Sequence, residues 1–204
     1  MPDFTALGDH RSRLLAGLAA ALEQHALSEL HTGVIAREAG VSKRTFYEHF
    51  ANKEECFLAL YRGNSARILQ ALSDAVTPPG LTLRERIDRG AQAYLSAMQD
   101  QAPLMKRLYV DILGLGAEGM QAKREVVQQF ADLLLALYEE ERAAMPGLPA
   151  MNPELLLGVI AGLNELILFR IEDGAVEQLL ELAEATRLLI LGSMQAMLMS
   201  ASSS

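Results

Sequence analysis

Lys43, Arg44, Thr45, Tyr47 and His49 fall within seven residues and are interleaved with Phe46 and Phe50. At i and i+4 on a helix, the two phenylalanines share one face. With those rings turned inward, Arg44, Thr45 and Tyr47 turn outward. An arginine so placed can donate a forked pair of hydrogen bonds to a guanine edge. Lysine, tyrosine and histidine have the reach and chemistry for phosphate oxygens. Glu48 fits less well; it either accepts from a cytosine amino group or faces solvent. Lys53 opens the next helix, where a cation opposes the helix dipole, and a phosphate contact would explain its presence there.

These side chains need a rigid mount. Thr32–Ala39 reads as a short helix with Thr32 as its N-cap, and Ala39-Gly40-Val41 as a tight turn in which Gly40 supplies the left-handed backbone. Ser42 caps the next helix, which runs to Phe50, and Asn52 caps the one after. Ile35 and Ala39 face Phe46 and Phe50, a small core that fixes the angle of a helix-turn-helix.

The rest of the chain is helical in period, with no alternating run bounded by hairpin turns. The expected helices are about 10–26, the two short ones, 53–74, 83–100, 103–113, 120–144, 153–172 and 176–199. Breaks fall at Thr77-Pro78-Pro79-Gly80, Pro146-Gly147-Leu148-Pro149 and Asp173-Gly174. Gly114–Gly119 reads as a flexible joint, and Ser200–Ser204 as a disordered tail. The fold class is therefore all-α, with about nine helices.

Net charge is −8, which argues superficially against a nucleic-acid partner. Its distribution argues less. Residues 1–62 hold seven Lys/Arg and eight Asp/Glu, whereas residues 63–204 hold eleven and eighteen, so the acid lies in the back of the chain. Met1–Asp9 lacks the pattern of a secretory leader, and Leu155–Phe169 is interrupted by Gly158, Gly162, Asn164 and Glu165. A cytoplasmic protein with no membrane partner is expected. The single cysteine, Cys56, reads as an inert buried thiol. His10, His25, His31 and His49 have no metal-ligand spacing, so neither a metal nor a cofactor is expected. Glu139-Glu140-Glu141 reads as a solvated helix end. Arg11 and Arg13 either reach DNA or pair with Asp9.

The stretch Thr32–Tyr61, TGVIAREAGVSKRTFYEHFANKEECFLALY, resembles the TetR-family DNA-binding signature, with its IAxxAGVS helix, TFYxHF recognition helix and following NKEE. The resemblance implies a DNA-binding domain over 1–52 and a ligand-binding and dimerisation domain over 53–204. It implies a homodimer on a near-palindromic double-stranded operator, acting as a repressor that a small molecule releases. It puts Thr32 and Lys53 at phosphates, Lys43, Arg44 and Thr45 at the groove, Tyr47 and His49 at the backbone, and Ser42 also among the DNA-binding residues.

The eighth helix is apolar nearly all round, and the ninth has two apolar sides. One chain has too few elements to hide both, so a four-helix interface between two copies is expected. Its candidates are Leu156, Ile160, Leu163, Ile167, Leu179, Ala183, Ile190 and Met194. Candidate effector-pocket residues are Tyr94, Met98, Met105, Tyr109, Phe130, Tyr138 and Asn164. Abundant Met and Leu suit an adaptable cavity for an apolar or aromatic molecule. The competing readings are a helical dimerisation module without specific DNA binding, and an enzyme. Against the enzyme stands the lack of a nucleophile elbow, a Gly-rich phosphate loop or a metal cluster in the sequence.

Overall fold

The structure is a computed structural model and describes residues 10–145 and 147–201. Among the described residues the chain forms nine α-helices, three short 3-10 turns and no strand. The helices are α1 His10–Leu22, α2 Thr32–Glu38, α3 Lys43–His49, α4 Lys53–Val76, α5 Leu83–Gln99, α6 Ala102–Asp111, α7 Gly116–Ala144, α8 Pro153–Glu172 and α9 Leu182–Ala201. The expectations for Met1–Asp9, for Pro146, for the tail beyond Ala201 and for an ion pair to Asp9 lie outside the described residues.

Local chemistry sets most boundaries. Ser42 Oγ accepts the Thr45 N–H at 3.0 Å, Asn52 Oδ1 accepts that of Glu55 at 2.7 Å, and Asn152 Oδ1 accepts that of Glu154 at 2.9 Å. Each satisfies an amide that an N-terminal turn otherwise leaves unpaired. Gly40, Gly80 and Gly174 end their segments at φ of 63°, 83° and 74°, where a side chain would be strained. The structure corrects two expectations and adds one element. Thr32 is the first helical residue of α2, and His31 holds the cap position without a side-chain bond. Leu27–Glu29, left unassigned between the first two expected helices, is a 3-10 turn. Gly114–Gly119 is no joint: Ile112–Leu115 is a 3-10 turn and α7 begins at Gly116. A Cβ at Gly119 would strike the carbonyl of Ile112, so that glycine serves close packing.

Contacts divide the chain into two units, 1–67 with 100–124 and 68–99 with 125–204. In the first, α1 packs on α2, α3 and α6. A Cβ at Gly17 would lie 2.6 Å from the Ala39 nitrogen, so α1 meets the end of α2 backbone to backbone. Leu14, Leu18, Ile35, Phe46 and Phe57 are fully buried around that contact. In the second unit, Ile87, Ala131, Tyr138, Leu156, Val159, Leu163, Ile190 and Met194 form the core. Tyr138 donates its hydroxyl to the Pro149 carbonyl at 2.8 Å, and burial pushes its pKa up.

Candidate functional site

In α3 and at its C-cap, Phe46 and Phe50 are buried while Lys43, Arg44, Tyr47 and Glu48 are exposed, Tyr47 at 57%. Truncating a buried phenylalanine costs about 3–5 kcal/mol, so this orientation is firmly held. Ile35 and Ala39 are buried beneath, where α2 packs on α3. Thr45 and His49 are half-buried at the sides.

Several groups fix the pair of helices. The Thr32 and Tyr47 hydroxyl oxygens lie 3.2 Å apart, joining α2 to α3. The Lys43 chain passes over Gly33, where any side chain would push it aside. Arg13 donates to the Gly40 carbonyl at 2.6 Å, and the Arg11 guanidinium lies 5.4 Å from the Phe50 ring centre. Both arginines of α1 thus brace the helix-turn-helix. Sequence reasoning left their partners open. Arg44 Nε pairs with Glu48 Oε1 at 3.2 Å along the helix, a role for Glu48 that the sequence reading did not consider. Both ends are exposed, so this pair contributes little stability and is readily exchanged for DNA.

Lys53 has different company from that expected. Its ammonium donates to the carbonyls of Leu27 at 2.8 Å, Leu30 at 2.9 Å and Ser28 at 3.4 Å. Those three bonds account for a cation at a helix start without invoking phosphate. The same turn is held by Asp111 at the end of α6, which accepts the Leu27 N–H at 2.8 Å. The turn that leads into α2 is therefore clamped by both its carbonyls and its amide. A 3-10 turn of three residues has too little periodicity to be read from the sequence.

A cavity of about 50 Å³ lies in the second unit, walled almost wholly by apolar atoms. Of the seven candidate pocket residues, Tyr94, Phe130 and Asn164 line it. The Tyr94 hydroxyl donates to Asn164 Oδ1 at 2.5 Å, and the Tyr94 and Phe130 rings meet edge-on at 5.3 Å. Met98, Met105, Tyr109 and Tyr138 do not line it. Met98 and Tyr138 are buried in packing, while Met105 and Tyr109 belong to the other unit, where Met105 Sδ accepts Asn64 Nδ2 at 3.2 Å. Arg86, Thr186 and Ile190 also line the cavity and were missed as pocket residues.

The interface candidates need a larger correction. Leu156, Leu163, Ile167, Leu179, Ile190 and Met194 are buried within their own chain, and Ile160 and Ala183 are half-buried. A side chain cannot be withdrawn from water twice. The exposed apolar residues of these helices are Leu166 and Phe169 on α8 and Leu188, Leu189 and Met199 on α9. They share their faces with exposed Gly158, Ala161 and Gly162, and with Gly192.

Cys56 is fully buried, and burial pushes its thiol up to about 12. Among the described residues no three His, Cys, Asp or Glu side chains group as a metal site, and no helix is long and apolar enough to cross a membrane.

A braced helix-turn-helix with an exposed basic face on its second helix has the geometry that docks in a DNA major groove. Residues 14–60 match the family model for bacterial regulatory proteins, tetR family. The fold is similar to that of the fatty acid degradation regulator FadR from Bacillus halodurans, at 16% identity and a TM-score of 0.78, covering 91% of this chain and 97% of that one. It is similar to FadR from Bacillus subtilis, solved in complex with stearoyl-CoA, at 16% identity, TM-score 0.76, and 87% and 96% coverage. It is also similar to a putative transcriptional regulator from Pseudomonas aeruginosa PAO1, at 21% identity, TM-score 0.73, and 96% and 98% coverage. No curated protein matches the sequence. Residues 14–60 thus match the DNA-binding module of the tetR family, and the chain as a whole has a fold similar to that of these regulators.

Proposed function

We propose that this regulator is a repressor. It binds a near-palindromic double-stranded operator as a homodimer, in the cytoplasm, and a small apolar or aromatic molecule releases it. The observation that carries the reading is the orientation of α3: buried Phe46 and Phe50 behind, and exposed Lys43, Arg44 and Tyr47 in front. In this reading residues 1–52 meet DNA. Arg44 reads a base edge, and Thr32, Lys43, Tyr47 and His49 meet the backbone. Ser42 and Thr45 set the start of the recognition helix, with Thr45 at the groove. Lys53 supports the site by holding the turn before α2.

Residues 53–204 supply effector binding and pairing. Exposed glycine inside a helix costs about 1 kcal/mol relative to alanine. Gly158, Gly162 and Gly192 incur that cost with nothing within 4 Å of where a Cβ would stand. Close approach of a second copy to the apolar faces bearing Phe169 and Leu188 accounts for all three. The stearoyl-CoA bound by the Bacillus subtilis FadR supports an apolar effector here.

Selection of bound DNA from a random pool by the full chain tests the reading. The expected result is an enriched inverted repeat whose affinity falls with salt. Failure to enrich any sequence would favour the dimerisation module instead. Release of the selected DNA by an effector should correspond to a coupling of about 1–3 kcal/mol.

A further inference from the structure

The cavity in the second unit has polar residues in its wall, yet most of their polar groups already have partners. Tyr94 donates to Asn164, Thr186 Oγ1 donates to the Leu182 carbonyl at 2.8 Å, and Arg86 Nη1 meets Glu140 Oε2 at 2.9 Å. One polar atom of a lining residue is left over among the described residues. Arg86 Nε is buried and finds no acceptor among the described residues. A buried donor without a partner is costly, and one acceptor removes the cost.

The charge of Arg86 is already answered. Its side chain is 15% exposed, whereas that of Glu140 is 64% exposed, so the carboxylate sits at the surface and the guanidinium behind it. A second carboxylate entering the cavity would have to lose its water and then share a cation that has a counter-ion. A neutral acceptor that parts the apolar wall beside Arg86 needs no displacement of Glu140 and can take the free Nε–H. The remaining wall selects an apolar body. A volume of about 50 Å³ is far below the roughly 300–1,000 Å³ of ordinary ligand pockets, so an occupant must push side chains apart. Leu133, Leu134 and Ile160 in the wall are only half-buried and can yield.

We propose that the cavity takes an uncharged, largely apolar molecule bearing one hydrogen-bond acceptor, and that Arg86 is the residue that reads that acceptor. This rests on the effector reading above and names its ligand class.

Three probes of similar size separate the possibilities: ethylbenzene has no acceptor, acetophenone has a neutral one, and benzoate carries charge. Each is titrated into the full chain by NMR. Acetophenone is expected to bind about three- to tenfold tighter than ethylbenzene, the worth of one hydrogen bond, with benzoate weakest. Arg86→Met should erase the difference between acetophenone and ethylbenzene while ethylbenzene still binds. Glu140→Gln, a change at an exposed position, should improve benzoate relative to acetophenone. Equal binding of acetophenone and ethylbenzene, tightest binding by benzoate, or a preference that survives in Arg86→Met overturns the assignment of Arg86 but leaves the cavity as an effector site. Binding of none of the three removes both.

Discussion

The hydroxyl oxygens of Tyr47 and Thr32 stand 3.2 Å apart, so the exposed face of α3 is tied to the first turn of α2 through one phenol. That bond is exposed, and a neutral exposed bond contributes at most about 1 kcal/mol. Tyr47→Phe should therefore leave denaturant stability within about 1 kcal/mol of the parent. If the phenol meets a phosphate, the same change weakens cognate and random DNA alike, by about three- to tenfold. Tyrosine is uncharged, so the salt dependence should keep its slope, whereas Lys43→Ala should reduce it by about one unit. Fluorescence anisotropy over a salt series measures both. An altered slope in Tyr47→Phe, or undiminished affinity, would remove the phenol from the contact set.

Arg44 differs from Tyr47 in what it can discriminate. Its pairing with Glu48 is intrahelical and exposed, so removing it should barely change stability. A forked contact to guanine is worth about 1–3 kcal/mol of discrimination. Arg44→Ala should thus lower affinity for the selected operator far more than for random DNA. Equal losses on both would reassign Arg44 to the phosphates.

The recognition segment was legible because its signals are local. Ser42 and Asn52 cap, Gly40 turns, and Phe46 and Phe50 mark the inward face within a few residues of each other. The turn at Leu27–Glu29 was not legible, because its bonds come from Lys53 and Asp111, 26 and 84 positions away in sequence from Leu27. The outward face of α8 was not legible for another reason. Where Leu156, Leu163, Leu166 and Phe169 are all apolar, the sequence pattern has no polar side to say which face meets the rest of the chain. Leu156 and Leu163 turn inward and Leu166 and Phe169 outward, and only packing distinguishes them. The glycines at 158 and 162, with nothing within 4 Å of where a Cβ would stand, mark the outer face.

Lys53 separates a structural role from a DNA-contacting one. Its ammonium bonds three carbonyls in a half-buried setting, and hydrogen bonds to charged groups contribute about 1.5–3 kcal/mol. Lys53→Met keeps the stem and removes the donors. Urea unfolding should show a loss of about 1–3 kcal/mol. Unchanged stability together with a uniform loss of DNA affinity would return Lys53 to the phosphate contacts.

The outer faces of α8 and α9 yield a test of assembly that buried positions cannot. Phe169 is 55% exposed and Leu188 is 60% exposed, so a charge at either is tolerated by the isolated fold. Phe169→Glu with Leu188→Glu should give a folded monomer by light scattering, with helical content retained and operator affinity reduced by loss of the second half-site. Ile167, 1% exposed on the opposite side of α8, should instead unfold the chain when made Glu. A doubly substituted protein that remained dimeric would place the interface elsewhere.

Cys56 gives the pH prediction. Its thiol is raised from 9.0 to about 12, first by burial and then by Glu55, with Arg11 opposing. The fold therefore favours the protonated form. That contribution is complete below pH 9, the unfolded value, and is lost as pH rises from there toward about 12. Burial raises the Tyr61 phenol as well, so the alkaline decline of the parent has more than one source. Comparison with Cys56→Ala isolates the thiol: between pH 9 and 11 the variant's stability should fall less steeply than the parent's. At pH 8 the native thiol should react with iodoacetamide far more slowly than the thiol of the urea-unfolded chain, because the thiolate is the nucleophile. Matching alkaline slopes, or native labelling as fast as that of the unfolded chain, would mean that Cys56 is open to solvent and available as a redox site.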